Sequence, residues 1–371
     1  MKIILLTAHY KPNVGGVETH LSDLTASLIK RKHSVFVLTY RPLTAKVSWM
    51  IHKKARHLEI LRIPWIPGLF YKFVPYPILS FLYLLPGLFV ALPFVLLSRK
   101  PNVIHAHGLV AGFVGVFWGK IFGTRVVVST HSLYEFPKTG SYRKFVTWIF
   151  RNADHVSTLS EIALKEIRSL GVGKEKSSRF TYWVDLKRFK PIANAKEKLG
   201  WDENFVVLFV GRLVAEKGIS VLLDSVKTWG KDTVLFLAGG GTLKETVGSE
   251  ASETENLKYL GNIDQKDLPI CYSAADVLIV PSTSEEGFGR VIIESLACGT
   301  PVIGANRGAI PEAMDSTVGK LISITSKNIQ KTVQNYYKNP KRTKIQSKTA
   351  RNFSIERYSE GNVEQITSTY Q

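Results

Sequence analysis

The densest chemical signal in the chain is the stretch STSEEGFGRVIIESLACGTPVI at residues 282–303. An apolar run over 276–281 ends at Pro281. A loop with Glu285, Glu286, Gly287, Phe288 and Gly289 follows, and a helix opens near Arg290 with Glu294 one turn in. A carboxylate in a glycine-rich loop can hold sugar hydroxyls, and a second on the following helix can accept from ribose hydroxyls. An acid set among Val291, Ile292, Ile293 and Leu296 needs a partner, because burying a lone charge is costly. The bland alternative for both glutamates is a capping or surface role.

Arg212 and Lys217 lie in VGRLVAEKG, just past a second apolar run at 205–211. Two cations and a helix start near Gly218 suit the departure of a pyrophosphate, which carries two to three negative charges. Ligands of open α/β sheets collect at strand C-termini, which favours this role over a solvated ion pair. Gly15 and Gly16 fall between the first apolar run and a helix, where glycine lets a ligand approach the backbone and the helix start offers N–H groups to an anion. They do not form the G-x-G-x-x-G fingerprint, and alone a Gly-Gly pair is an ordinary turn. His107 and His131 end two further apolar runs. Each can meet a sugar hydroxyl or a phosphate, or be a satisfied structural histidine.

The elements that must position these residues alternate. Short apolar runs at 2–8, SVFVLTY, VIHAH, RVVVST and HVSTLS are each followed by a helical stretch, the first from about Val17 to Lys30. The pattern restarts with FVVLFVG, TVLFLAG, LKYLG, DVLIVPS and PVIGA. This predicts an α/β chain with two tandem parallel sheets covered on both faces. The expected division is residues 1–188, residues 189–353 and a C-terminal helix at 354–371 crossing back, with the link near 185–200.

The chain has 371 residues and a formal net charge of +19. Residues 1–190 hold 28 Lys and Arg against 9 Asp and Glu, whereas 191–371 hold 21 of each. A field confined to one half suits an anionic surface, nucleic acid or acidic lipid. No recognition-helix motif or aromatic–basic interleaving supports nucleic acid. Cys271 and Cys298 read as buried thiols of a reducing compartment, and their spacing makes no metal site. The start of the chain reads as a strand rather than a signal peptide.

Residues 64–97 read PWIPGLFYKFVPYPILSFLYLLPGLFVALPFVLL, uncharged from Ile78 onward. The length suffices for a membrane span, but Pro75, Pro77, Pro86 and Pro93 are expected to break it into short pieces. A surface-lying or acceptor-lining helical pair is the favoured reading, with a buried core helix as the alternative. Lys53, Lys54 and Arg56 precede the segment, and Phe81, Leu82 and Tyr83 lie within it. Together with His107 they form the expected acceptor and membrane set, since cations flanking an aromatic patch suit interfacial binding.

In this order YKPNVGGVETH, GRLVAEKG, EEGFGRVIIESLACGTPVI and GAIPE resemble the family 4-like retaining glycosyltransferases of the GT-B fold, over nearly the whole chain. The resemblance implies two Rossmann-like domains facing across a central cleft. It assigns catalysis to His131, Glu286, Arg212 and Lys217. It assigns donor binding to Gly15, Gly16, Arg212, Lys217, Glu286, Gly287, Phe288, Gly289 and Glu294. It implies a UDP- or GDP-sugar donor, no metal or other cofactor, and same-face substitution with retention. The nearest flavour is the branch of phosphatidylinositol mannosyl- and N-acetylglucosaminyltransferases, implying a lipid or lipid-linked acceptor, an anionic membrane surface and a cytoplasmic, peripheral location. A soluble acceptor is the alternative. Two departures stand out: Tyr182 and Trp183 where Asn-Gly is common, and Arg290 where an apolar residue is common.

Overall fold

The computed structural model describes residues 1–13, 15–42, 52–66, 70–73, 76–201 and 204–371. It forms two compact units, Met1–Tyr182 with Asn362–Gln371, and Trp183–Gly361.

Among the described residues, the strands of the first unit are β1 (Lys2–Thr7), β2 (Ser34–Tyr40), β3 (His52–Ala55), β4 (Leu58–Ile63), β5 (Val103–His107), β6 (Arg125–Thr130), β7 (His155–Thr158) and β8 (Ser177–Arg179). Its helices are α1 (Gly16–Lys30), α2 (Phe70–Phe73), α3 (Pro77–Arg99), α4 (Leu109–Phe122), α5 (Ser141–Asn152) and α6 (Glu161–Ser169). The sheet order is β3-β4-β2-β1-β5-β6-β7-β8, and only the β3–β4 pairing is antiparallel. The central strands are buried along their length because parallel strands carry helices on both faces. Helix α4 sits close on the sheet through Gly112, Gly115 and Gly119, whose missing Cβ atoms leave room for Val128, Ala106 and Val126.

The second unit holds β9 (Phe205–Val210), β10 (Thr233–Ala238), β11 (Leu257–Gly261), β12 (Val277–Val280), β13 (Val302–Ala305) and β14 (Gly319–Ile322). Its helices are α7 (Ala195–Leu199), α8 (Ile219–Val226), α9 (Lys244–Glu253), α10 (Leu268–Ala274), α11 (Arg290–Ala297), α12 (Ile310–Ala313), α13 (Ser326–Lys338) and α14 (Pro340–Arg357). The sheet is parallel throughout, in the order β11-β10-β9-β12-β13-β14. Cys271 and Cys298 are buried free thiols.

Three expectations are revised. The segment at 185–200 is not a bare link but part of the second unit. Arg351 gathers the carbonyls of Leu186 (3.0 Å), Phe189 (2.6 Å) and Ala297 (2.8 Å), and the Ile192 N–H donates to Ser273 Oγ. The last helix does not run from 354 to 369. Helix α14 ends at Arg357 inside the second unit, and a short α15 (Val363–Thr367) belongs to the first.

The third revision concerns residues 64–97, of which 67–69 and 74–75 lie outside the described residues. From Pro77 onward the chain forms one 23-residue helix despite Pro86 and Pro93. Two devices carry the helix past its prolines. At Pro93 the missing N–H frees the Phe89 carbonyl, which accepts from the Trp118 indole N–H at 2.9 Å. Past Pro86, the Tyr40 hydroxyl enters the ladder between turns: it donates to the Leu84 carbonyl and accepts from the Leu88 N–H at 3.1 Å. Gly87 leaves space for that ring, since a Cβ there would strike it. One face of α3, with Leu84, Leu88, Leu92, Val95 and Leu96, joins the core. The opposite face exposes Ile78, Leu79, Leu82, Val90, Phe94 and Leu97. By length and composition α3 is apolar enough to cross a membrane, but one face is already spent on the sheet.

Candidate active site

In the second unit, strand order reverses between β9 and β12, so the loops after these strands flank a crevice at the topological switch point. The first loop carries Arg212 and a 3₁₀ turn at Ala215–Lys217. The second carries Ser282 to Gly289. They are tied together: the Thr283 N–H donates to the Glu216 carbonyl at 2.9 Å, and a Cβ at Gly218 would run into the Pro281 carbonyl. Gly218 adopts φ +72°, a left-handed conformation that suits glycine.

Lys217 forms an ion pair with Glu286 Oε1, and the buried Ser282 hydroxyl donates to Glu286 Oε2 at 2.6 Å. Both carboxylate oxygens are thereby oriented, yet each keeps a lone pair for a further donor. The Glu286 backbone is fixed from a third loop. Its carbonyl accepts from the Ala309 N–H at 2.9 Å, and Gly308, at φ +57°, leaves the space its backbone occupies. Arg307 reinforces this contact through the Thr283 carbonyl and Glu285. Arg212 is exposed.

Glu294 is buried and doubly held. Arg290 Nε donates to Oε1 at 3.1 Å, and the Tyr272 hydroxyl donates to Oε2 at 3.0 Å. Burial and the neighbouring carboxylate hold the Tyr272 pKa well above its usual range, so it stays a donor. The partner that the acid required is therefore internal. Arg290, equally buried, covers the start of α11 rather than lying at the surface. The Phe288 ring is also turned inward, edge-on to Tyr358 at 5.9 Å, leaving its backbone to the loop. Gly289 caps α11 at φ +84°.

In the first unit the corresponding reversal lies between β1 and β5. The parallel register sets His107 beside Ser129, placing His107 and His131 at the same end of the sheet. His107 Nδ1 and His131 Nε2 are 3.0 Å apart, and His131 Nδ1 is 2.9 Å from the Tyr182 hydroxyl. His20, one turn past Gly16 on α1, places its ring centroid 4.4 Å from that of Tyr182 and 5.5 Å from that of His131. Beneath them, His105 bridges the Tyr370 (2.8 Å) and Ser129 (2.7 Å) hydroxyls. Desolvation lowers the pKa values of His105 and His131 to about 3 and depresses His107 strongly, so these rings are neutral near pH 7. Gly15 caps α1 in extended backbone, and the Glu18 carboxylate folds back against it.

The expected acceptor and membrane set is split. Lys53 and Lys54 lie exposed on edge strand β3 and Arg56 in the following turn, where lysines also guard a sheet edge. Arg99, at the C-terminal end of α3, pairs with Glu59 of β4, which faces Lys54 in register. These cations therefore adjoin that end of α3. Leu82 is 17 residues, or about 25 Å, up the helix. Leu82 is exposed, but Phe81 packs edge-on against Phe145 and Phe113, and Tyr83 against Trp65 and Phe73. His107 belongs to the buried histidine cluster, not to the surface set.

Sequence reasoning passed over His20, His105, Ser282, Gly308 and the run Gly239–Gly241. The last was visible as three glycines at the end of β10; Cβ atoms at Gly239 and Gly241 would strike the Gly211 and Leu213 carbonyls.

Two Rossmann-like units, with loops converging at the switch point of each sheet, define a glycosyltransferase of the GT-B class. Residues 14–188 match the family model Glycosyltransferase Family 4, and residues 191–353 match Glycosyl transferases group 1. The chain belongs to this family 4-like group. It is 25% identical over 357 residues to the phosphatidylinositol N-acetylglucosaminyltransferase GPI3 subunit of Saccharomyces cerevisiae, covering 88% of this chain and 75% of that one. It is 24% identical over 340 residues to a GDP-mannose-dependent monoacylated alpha-(1-6)-phosphatidylinositol monomannoside mannosyltransferase of Corynebacterium glutamicum, covering 86% and 84%. In fold it is similar to the sucrose-phosphate synthase of Thermosynechococcus elongatus, with a TM-score of 0.84, 24% identity, and 100% and 98% of the two chains covered.

Proposed function

We propose that the protein transfers a hexose or N-acetylhexosamine, with retention, from a UDP- or GDP-sugar to a lipid-linked acceptor, working peripherally at the cytoplasmic face of a membrane. Arg212 and Lys217 neutralise the departing diphosphate, so the reaction requires no metal. Glu286, held by Ser282 and Lys217, orients the sugar hydroxyls, and Lys217 uses a remaining proton for the phosphate. The Gly15–Gly16 helix start at the phosphates, His131 at the transferred sugar and Glu294 at the ribose complete the assignment that the family resemblance suggests. The leaving diphosphate helps to deprotonate the acceptor on the same face.

The observation that carries the lipid reading is the exposed apolar face of α3 in a unit with 25 Lys and Arg against 9 Asp and Glu, whereas the other unit has 24 against 21. The names of the two curated relatives point the same way. The test is a panel of UDP- and GDP-sugars offered with a lipid extract, the product being weighed by mass spectrometry and its anomeric configuration read by NMR. A glycolipid of retained configuration supports the proposal. Transfer only to water-soluble acceptors, or an inverted product, refutes it.

A further inference from the structure

The positive excess of the second unit has a single source. The unit holds 24 Lys and Arg against 21 Asp and Glu. Residues 338–357 supply seven of those cations and one acid, Glu356, so the rest of the unit carries 17 against 20. The segment is helix α14 with Lys338 and Asn339 before it. Helix α14 buries Thr343, Gln346, Ala350, Phe353 and Ser354 on one face. With about 3.6 residues per turn, the opposite face is Lys341, Lys344, Ile345, Lys348, Asn352 and Ile355, all of them exposed. Ile345 is 65% exposed, as open as Val90 and Phe94 on α3 at 61% and 68%. Where α13 meets α14 a recess of about 770 Å³ opens, lined in part by Lys338, Lys341, Arg342, Ile345 and Thr317. It shares no residue with the crevice loops at Arg212 and Glu286. Asp315, close by in sequence, faces Arg357 at 3.7 Å and accepts from the Thr317 N–H at 2.9 Å.

We propose that the corner of α13 and α14 is a membrane contact of the second unit, where an anionic phospholipid seats its phosphate among Lys338, Lys341 and Arg342 while Ile345 enters the acyl boundary. This rests on the reading of the chain as an enzyme that works at a membrane surface. Cations alone would suit any polyanion, and the isoleucines decide between them. A nucleic acid gains from the lysines but gives Ile345 and Ile355 nothing to pack on, and the stripe holds no aromatic ring for a base. An acidic leaflet rewards both kinds of side chain, because it sets phosphates above an apolar layer. Lysine suits that boundary, since its stem lies along apolar surface while the ammonium stays among the headgroups. The contact is mainly electrostatic, so by itself it holds the chain weakly and is lost in salt.

The full chain carries one environment-sensitive fluorophore through Ile345→Cys, the native thiols Cys271 and Cys298 being buried. It is mixed with vesicles of phosphatidylcholine alone, or of equal parts phosphatidylcholine and phosphatidylserine. With the acidic vesicles the probe should shift to the blue and be quenched by brominated acyl chains, and salt should reverse both changes; phosphatidylcholine alone should leave it in water. A variant with Lys341→Gln, Lys344→Gln and Lys348→Gln should bind acidic vesicles about a hundredfold more weakly, at about fivefold per near-surface cation, and the corresponding Lys→Arg changes should keep the binding. Unchanged UDP or GDP affinity checks that both variants are folded. A probe that stays in water while the chain sediments overturns the proposal, and so does a Gln variant that binds as tightly as wild type. Wild type that ignores acidic vesicles overturns it too. If the Gln variant loses binding to polyuridylate but not to vesicles, the surface belongs to nucleic acid and the proposal falls. If that variant does not fold, the probe alone decides. Quenching reads contact and not turnover. A quenched probe on a chain that makes no glycolipid leaves the membrane contact standing and removes the enzymatic reading, whereas glycolipid made by a chain whose probe stays in water removes only the contact.

Discussion

Acidification should unfold the first unit well above the pH at which its carboxylates titrate. His9, His105 and His131 have folded pKa values of about 4, 3 and 3, each lowered by desolvation, against an unperturbed 6.5. The folded values lie below the unfolded one, so the unfolded chain binds more protons. Stability is full above pH 6.5, falls as pH drops through 6.5, and levels off only near the folded values. At pH 5 each group costs about 2 kcal/mol, and the three together cost on the order of 6 kcal/mol. His107 adds in the same direction. Against a domain stability of roughly 5–15 kcal/mol, that loss decides whether the unit stays folded. The assay is urea unfolding at pH 7.5, 6.0 and 5.0, with hydrogen exchange confining the readout to residues 1–182. The expected slope between pH 6 and 5 is about 4 kcal/mol per pH unit, and His105→Gln should reduce it by about a third. Stability at pH 5 within about 1 kcal/mol of that at pH 7.5 would refute the reasoning, because three desolvated neutral imidazoles leave no other sign for the effect.

Arg212→Ala and Lys217→Ala should each weaken UDP or GDP binding about tenfold to a hundredfold by calorimetry while leaving the melting temperature nearly unchanged, since each removes a charge-assisted contact to phosphate. Unchanged affinity in both variants contradicts the assignment. Tyr40→Phe should cost about 2–5 kcal/mol in urea unfolding, because the Leu84 carbonyl and Leu88 N–H both lose their partner inside the core; a cost below about 1 kcal/mol means that the ladder closes without it. Turnover should survive excess EDTA, and a loss restored only by a divalent ion speaks against a diphosphate neutralised by Arg212 and Lys217. Wild type should sediment with acidic liposomes and be released by salt. Replacing Leu82, Val90 and Phe94 with Ser should abolish sedimentation without unfolding the chain, and retained binding places the docking surface elsewhere.

The α/β class and the loops of the second unit were legible because their signals are local. An apolar strand followed by glycines and acids announces a site within about ten residues. What escaped depends on register and on partners far along the chain. Nothing near His131 in sequence says that the ring will lie between His107, 24 residues away, and Tyr182, 51 away. Strand order and register bring them to one end of the sheet. Glu294 was readable as a buried acid in need of a partner. That the partner would be Arg290 at i+4 spacing, seconded by Tyr272 from α10, required the tertiary contact. The short polar strands β3 and β8 were missed for a different reason: HKKA and SSR have no apolar pattern, and they exist because a neighbouring strand offers its edge.

Helix α3 shows how a tertiary contact changes what an apolar segment can do. Pro75, Pro77, Pro86 and Pro93 within 19 residues argue for fragments, and the rule holds for a helix in water. It fails here because the carbonyl freed by Pro93 meets Trp118, and a phenol bridges the turn after Pro86. The helix therefore stays whole, and its two faces are assigned by the sheet beneath it. Phe81, Tyr83 and Phe89 turn toward α4, α5 and the Trp65 ring, where they hold the first unit together. Leu82, Val90 and Phe94 are left outward. A patch chosen from sequence as three consecutive residues thus mixes one surface side chain with two structural ones, and replacing all three would report on folding rather than docking. Along the same helix, the cations of β3 adjoin its last turn while the outward apolar residues extend back toward its first. The cations thus flank only the end of the helix that carries Phe94 and Leu97, while Ile78, Leu79 and Leu82 at the other end have apolar surface alone, so salt should weaken one end of a membrane contact before the other.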